Sequence, residues 1–75
     1  MAKAFVLIET QVGRTKEVAS GLEGLSGVQS VDAVTGPYDV ITVIEAATLN
    51  EIGDIVTKVI HPIAGISRTV TCLAV

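Results

Sequence analysis

The sequence predicts an α+β domain in which two helices cover one face of a four-stranded antiparallel sheet. Four β-rich runs and two amphipathic helical patterns follow one another in the order βαββαβ. A short repeat, LSGV at 25–28 and IAGI at 63–66, stands between a helix and a strand in each half of the chain. The first and third strand runs are apolar at both parities, so each of them needs cover on both faces.

The first strand and the first helix follow from the pattern of residues 3–25. The run KAFVLIE, at 3–9, consists of residue types that favour strands and has apolar side chains on both faces. After TQVG comes a segment from Thr15 to Gly24, followed by Leu25. Its apolar side chains fall on one helical face: Val18, Ala19, Leu22 and Leu25. We therefore predict an amphipathic helix that ends at Gly24.

The sequence pattern of residues 28–62 predicts a hairpin and then a second helix. The runs VQSVDAVT at 28–35 and DVITVIE at 39–45 flank the turn residues GPY. The next segment places apolar residues on one helical face: Leu49, Ile52, Ile55, Val56 and Val59. Thr48 with Glu51 forms a capping-box pattern at the start of this helix, and Pro62 is typical of its end. The last run, ISRTVTCLAV, predicts the fourth strand.

Two βαβ halves in this order form the ferredoxin-like arrangement, with both helices on one face of the sheet. The other face is then bare, although strands one and three carry apolar residues there. Because 49% of the 75 residues are hydrophobic, a single small domain cannot easily hide them all. We expect a two-fold homodimer by sheet-to-sheet packing, a dimeric α+β barrel.

Composition and charge narrow the classes of function. The longest unbroken apolar run covers only residues 4–8, and residues 1–9 do not form a signal peptide, so we expect a cytoplasmic protein that does not contact a membrane. The single cysteine, Cys72, leaves no intramolecular disulfide and favours a buried apolar thiol in a β-rich run. A net charge of −3 without a basic cluster argues against direct nucleic-acid binding.

Catalytic and cofactor motifs are missing from the sequence. His61 is the only histidine and precedes a proline at a helix end, where a surface residue is expected. One Phe and one Tyr do not supply the base-stacking aromatics of an RNA-recognition module, TQVGR lacks the two cysteines of a metal chaperone, and the glycines do not follow GxGxxG. We predict no metal site, no cofactor and no enzyme activity.

Polar residues suited to a ligand remain at two places, the turn TGPYD at 35–39 and the segment RTVT at 68–71. A free amino acid needs an acceptor for its ammonium and donors for its carboxylate, and turn N–H groups, an aspartate and hydroxyls supply both. The same residue types are equally at home in a plain turn and an ordinary strand, and taken alone they favour that simpler interpretation.

The whole pattern resembles the effector-binding and assembly domain, or RAM domain, of the Lrp/AsnC (feast/famine) transcription regulators. VTGPYD at 34–39 and GISRTVT at 65–71 are the most specific parts, and the resemblance extends over nearly all 75 residues. It implies the ferredoxin-like fold, sheet-packed dimers, higher rings of commonly four dimers, and amino-acid effectors held between dimers. It also implies five effector-binding positions: Gly36, Tyr38, Asp39, Thr69 and Thr71.

Two departures from the family pattern shape what we expect of this chain. Pro37 stands where the family often has a polar residue, and it removes one backbone donor. The first strand begins at the start of the sequence, so we expect residues 1–75 to be a stand-alone module without the helix-turn-helix domain. Such a module senses an amino acid alone or co-assembles with a full-length Lrp/AsnC regulator.

Three other interpretations are open from the residues alone. One is a small cofactor-independent enzyme of the dimeric α+β barrel class, for which His61 is the only candidate base. Another is an ACT-type regulatory domain, which edge-to-edge rather than face-to-face association would distinguish. The third is a purely structural assembly subunit that binds no ligand.

Overall fold

The computed structural model describes all 75 residues, and it confirms the predicted order of elements and the sheet. The strands are β1 (Ala2–Thr10), β2 (Val28–Ala33), β3 (Val40–Ala46) and β4 (Ile66–Leu73). The helices are α1 (Thr15–Leu22) and α2 (Leu49–Asp54), and α2 continues as a π-helical segment (Ile55–Ile60). All four strands form one antiparallel sheet in the order β2-β3-β1-β4.

The hydrophobic core lies between the helices and one face of the two central strands. The register pairs even-numbered residues of β1 with even-numbered residues of β3, which stack on this face. The buried apolar side chains are Ala4, Val6, Ile8, Val40 and Ile44 from the strands, and Val18, Leu22, Ile52, Val56 and Ile60 from the helical segments. Both helices therefore cover the same face of the sheet, as predicted.

The one buried polar side chain in this layer, Thr42, is paired within the sheet. Its hydroxyl donates to the Ser30 carbonyl at 2.7 Å. The β2–β3 register is irregular between Val28 and Ser30, so the hydroxyl satisfies a carbonyl next to this bulge.

The internal repeat of the sequence is a repeated turn in the structure. In each copy, the N–H groups of the first and fourth residues donate to carbonyls three residues earlier, at 3.0–3.4 Å. The third residue is Gly27 in one copy and Gly65 in the other, with φ of +88° and +97°. This left-handed conformation suits glycine, and it directs the chain from each helical segment into an edge strand, β2 or β4.

The start and the end of the second helix agree with the sequence pattern. The Thr48 hydroxyl accepts a hydrogen bond from the Glu51 N–H at 3.2 Å, and the Glu51 carboxylate accepts one from the Ala47 N–H at 3.3 Å. The helical segment ends at Ile60, two residues before Pro62. The Thr48 half of the predicted capping box is therefore formed, whereas the Glu51 carboxylate accepts from the Ala47 N–H and not from the Thr48 N–H that a capping box uses.

The buried face of this helix differs from its prediction at both ends. Leu49 and Val59 are 62% and 37% exposed, whereas Ile60 is fully buried. At the carboxyl-terminal end the reason is the π-helical segment, in which the His61 N–H donates to the Val56 carbonyl five residues earlier, at 2.9 Å. Leu49, the first residue of α2, lies outside this segment. A wider turn keeps a four-residue spacing on the core side, so positions 52, 56 and 60 point inwards.

The opposite face of the sheet carries no helix and is apolar at its centre. Side chains at odd positions of β1 and β3, with their neighbours in β4, make up this open face: Phe5, Leu7, Ile41, Val43, Val70 and Cys72. Phe5 is 39% exposed. Cys72 is also exposed, so the prediction of a buried thiol is wrong for the single chain. The prediction failed because Cys72 lies on the face without helices.

Charged side chains stand at the two ends of this open face. The Lys3 ammonium lies 5.3 Å from the centre of the Phe5 ring at one end. The Arg68 Nε and a Glu9 carboxylate oxygen are 3.4 Å apart at the other. Neither helix is long and apolar enough to cross a membrane.

We expect Gly65→Ala to lower the free energy of unfolding by about 2–4 kcal/mol. A Cβ atom there would lie 3.0 Å from Arg14 Cβ and from Val18 Cγ2, and the left-handed backbone adds about 1–2 kcal/mol by itself. Urea unfolding followed by circular dichroism measures the loss. Gly24→Ala is the matched control, because φ is +81° there but no atom lies within 4 Å. Equal losses in the two variants would contradict a packing role for the second repeat turn.

Candidate functional site

The TGPYD residues form most of a loop, residues 34–39, between β2 and β3. The Val34 N–H donates to the Asp39 carbonyl at 2.9 Å and closes the loop at its base. Gly36 has φ of +139° and no atom within 4 Å of the place of a Cβ, and Pro37 is exposed beside it. The predicted turn is therefore present as an open loop whose backbone is accessible near its tip.

Asp39 fastens this loop to the end of β1. Its Oδ2 accepts a hydrogen bond from the Thr10 N–H at 2.8 Å, and its own N–H donates to the Ile8 carbonyl at 2.9 Å. The Thr10 and Thr15 hydroxyls are also 2.8 Å apart, which links the same strand end to α1. Oδ2 of Asp39 thus stabilises the fold, and the other oxygen, Oδ1, is free to accept a hydrogen bond from a ligand. The hydrogen bond to Thr10 was not predicted from the sequence.

Thr69 lies on the other side of β1, where it pairs in register with Ile8. Its hydroxyl is 2.9 Å from Nε2 of His61, at the end of the π-helical segment. A polar hollow of about 360 Å³ surrounds this pair, lined by His61, Ile66, Ser67, Arg68 and Thr69. From the sequence, His61 was expected to be a surface residue at a helix end. The repeat turn at Gly65, which leads from the helical segment into β4, is the sequence signal that could have placed His61 next to Thr69.

Thr71 lines a different hollow, of about 290 Å³, between α2 and the end of β4. The residues around it are mostly apolar: Leu49, Ile52, Gly53, Val56, Thr57, Thr71 and Leu73. The Thr57 hydroxyl donates to the Gly53 carbonyl at 2.9 Å, which satisfies it within the helix. Thr71 therefore offers a polar group at the margin of an apolar surface.

The five predicted site residues do not come together within one chain. Gly36, Tyr38 and Asp39 belong to the loop that leads into β3, whereas Thr69 and Thr71 belong to β4. Strand β1 lies between β3 and β4, so the backbones of the two sets are about two strand spacings, or about 10 Å, apart.

Metal chemistry finds no support in the structure. No group of three or more His, Cys, Asp or Glu side chains lies close enough together to hold an ion. The predicted site residues instead offer hydroxyls, backbone amides and one carboxylate, which bind polar organic groups by hydrogen bonds.

We expect Asp39→Ala to lower the free energy of unfolding by about 1–2 kcal/mol, because the Thr10 N–H then loses a charged acceptor. Asp32→Ala is the matched control, since Asp32 is an exposed aspartate of β2, and it should change stability by less than about 0.5 kcal/mol. Chemical denaturation of both variants gives the comparison. Indistinguishable midpoints would show that Asp39 does not fasten the loop.

Comparison with known proteins identifies the family of this chain. The family model described as the Lrp/AsnC ligand binding domain matches residues 3–75. An uncharacterized HTH-type transcriptional regulator of Pyrococcus furiosus is 38% identical in an alignment of 74 positions that covers 95% of this chain and 49% of the regulator. The chain thus spans about half the length of the curated relatives it matches.

Solved structures agree with this assignment. A protein of Thermus thermophilus is 36% identical with a TM-score of 0.94, over 100% of this chain and 94% of that chain. A Neisseria meningitidis transcriptional regulator, solved as a complex with L-Met, has the same fold, with a TM-score of 0.87 at 17% identity over 99% of this chain and 49% of that one. The family match over nearly the whole chain and the shared fold lead to one conclusion: this chain belongs to the Lrp/AsnC ligand-binding domain family.

Proposed function

We propose that this chain is a non-enzymatic, cytoplasmic regulatory module that binds an amino acid at a contact between its own copies. The observation that carries the proposal is the division of the polar site residues by β1. Asp39 and the Gly36 backbone lie on one side, and the β4 threonines lie on the other. An effector that needs both halves is bound only where two copies meet.

The chemistry of the two halves suits an amino acid. Asp39 Oδ1 is an acceptor for the ammonium, and the backbone N–H groups of Gly36 and Tyr38 are donors for the carboxylate. Thr69 and Thr71 add hydroxyls, which both donate and accept. Pro37 contributes no N–H, so this loop has one donor fewer than a loop with a polar residue there. The L-Met bound by the regulator of Neisseria meningitidis supports an effector of this class.

The open face of the sheet supports the assembly in which such a site forms. Its apolar centre is flanked by charged residues, which is typical of a surface that a partner covers. A second copy placed there by a two-fold axis would shield Phe5, Leu7 and Val43 from water. Further contacts between dimers then close a ring, and four dimers is the size that the family resemblance favours.

The regulatory role follows from the relatives. Those matched over the whole domain are named as HTH-type transcriptional regulators, and this chain corresponds to about half of their length. We propose that the module acts alone or as a co-assembled partner of a full-length regulator, and not through direct contact with DNA. Its net charge of −3 is consistent with a role away from nucleic acid.

We expect a panel of L-amino acids to contain at least one that raises the melting temperature and adds its mass in native mass spectrometry. A ligand at 100 times its Kd adds about 2.7 kcal/mol to the free energy of unfolding. Asp39→Asn should weaken this binding at least tenfold, because it removes the charge that pairs with the ammonium but keeps an oxygen acceptor for Thr10. A panel with no responding amino acid would leave only a structural assembly role.

We expect Val43→Glu to dissociate the dimer, raising its dissociation constant at least 100-fold. The reason is that an unpaired carboxylate buried against the partner sheet costs several kcal/mol. Multi-angle light scattering across protein concentrations measures the mass. Ser20→Glu, an exposed change on α1, is the matched control and should leave the mass unaltered. A dimer that survives Val43→Glu would place the interface elsewhere, for example at a sheet edge.

A further inference from the structure

We propose that the hollow beside Gly53 receives the side chain of the effector amino acid, and that Gly53 sets the length of side chain that fits. This inference rests on the proposed function and deepens it by naming the class of ligand. That class is a free amino acid with a long, uncharged, apolar side chain. Three features of the structure carry the argument: the free edge of β4, the direction in which a bound residue would point, and the shape of the hollow.

Strand β4 has a free edge that presents both a donor and an acceptor at Thr71. Only β1 pairs with β4. The Ala74 N–H donates to the Lys3 carbonyl at 2.9 Å, so the even-numbered residues of β4 form the hydrogen-bonded pairs with β1. Because antiparallel ladders alternate, the N–H and C=O groups of odd-numbered residues point away from β1. Thr71 can therefore donate to a carboxylate and accept from an ammonium through its backbone.

The register of the sheet determines where the side chain of such a ligand points. A residue directly opposite Thr71 places its side chain on the same face of the sheet as that of Thr71. Thr71 itself pairs with Val6, whose side chain is fully buried beneath the helices. A ligand on this edge therefore directs its side chain towards the helix side, into the hollow between α2 and β4.

Gly53 is one of the residues that line the hollow, and a side chain added there would have open space around it. No atom lies within 4 Å of the position that a Cβ would take there. Ile52 and Val56 reach it from the core, and the partly exposed Leu49 and Leu73 stand beside it. Its volume of about 290 Å³ is near the lower end of ligand pockets, which begin at about 300 Å³. No charged residue lines it, so a charged side chain would find no partner.

Calorimetric titration of the whole chain with L-alanine and L-norleucine tests this assignment. The wild-type chain should prefer L-norleucine by roughly 60-fold, since three further methylenes enter the hollow and each contributes about fourfold. Gly53→Leu should weaken L-norleucine binding at least tenfold and leave L-alanine within threefold. Ser20→Leu places the same leucine on an exposed site of α1 and should keep the wild-type preference.

The outcomes separate this inference from the proposed function. An unchanged preference in Gly53→Leu, with both ligands bound, would overturn the inference and leave the amino-acid site standing. Failure of the wild-type chain to bind either ligand or any other amino acid would overturn both. N-acetyl-L-norleucine amide should bind at least tenfold more weakly, and equal affinity would overturn recognition of the charged termini at Thr71. If the Gly53→Leu variant is unfolded, Gly53→Ala replaces it. This variant should show a smaller loss of the preference for L-norleucine over L-alanine.

Discussion

Strand β1, a central strand with apolar side chains on both faces, organises both layers of this domain. It pairs with β3 on one side and β4 on the other, and its even-numbered residues form the middle of the core. Two helical segments cover that face, and neither of them covers the other face. Only 12 residues are buried in the single chain, so apolar side chains of the second face are left open to solvent. The sheet-to-sheet packing proposed above would cover the odd-numbered residues of β1.

The same strand divides the candidate site. Ile8, near its end, accepts a hydrogen bond from Asp39 on one side and pairs with Thr69 on the other. The carboxylate of Asp39 holds Thr10, two residues further along the strand, in place. The position of the loop at residues 34–39 and the end of the central strand are therefore both held by Asp39. A ligand that donates a hydrogen bond to Oδ1 of Asp39 therefore contacts a side chain that also stabilises the fold through Oδ2.

Most of the fold could be predicted from the sequence, because alternation in the strands and helical spacing are both strong in this chain. The repeat turn was predictable as well, since its glycine, Gly27, recurs 38 residues later as Gly65. The π-helical segment was not, because Val59 and Ile60 are adjacent apolar residues and either one suits the core over a single turn. Cys72 was misjudged because the apolar pattern of β4 does not show which face the helices cover.

The candidate site was predictable in residue type but not in arrangement. TGPYD and RTVT stand out as polar segments in an apolar chain, yet their separation by β1 depends on the strand order. The hydrogen bond from Thr10 to Asp39 joins residues 29 positions apart, and that between His61 and Thr69 depends on the turn between them. Such contacts are set by the tertiary packing of whole elements, which no local pattern encodes.

A site divided between copies makes ligand binding and assembly a single linked equilibrium. If the effector contacts Asp39 of one copy and the β4 edge of another, it binds the assembled state and has little affinity for separate chains. Mass action then requires the ligand to stabilise the assembly by the same free energy with which the assembly increases affinity for the ligand. Under the proposed function, this linkage converts the concentration of an amino acid into a change of oligomeric state, which a co-assembled regulator would be able to read.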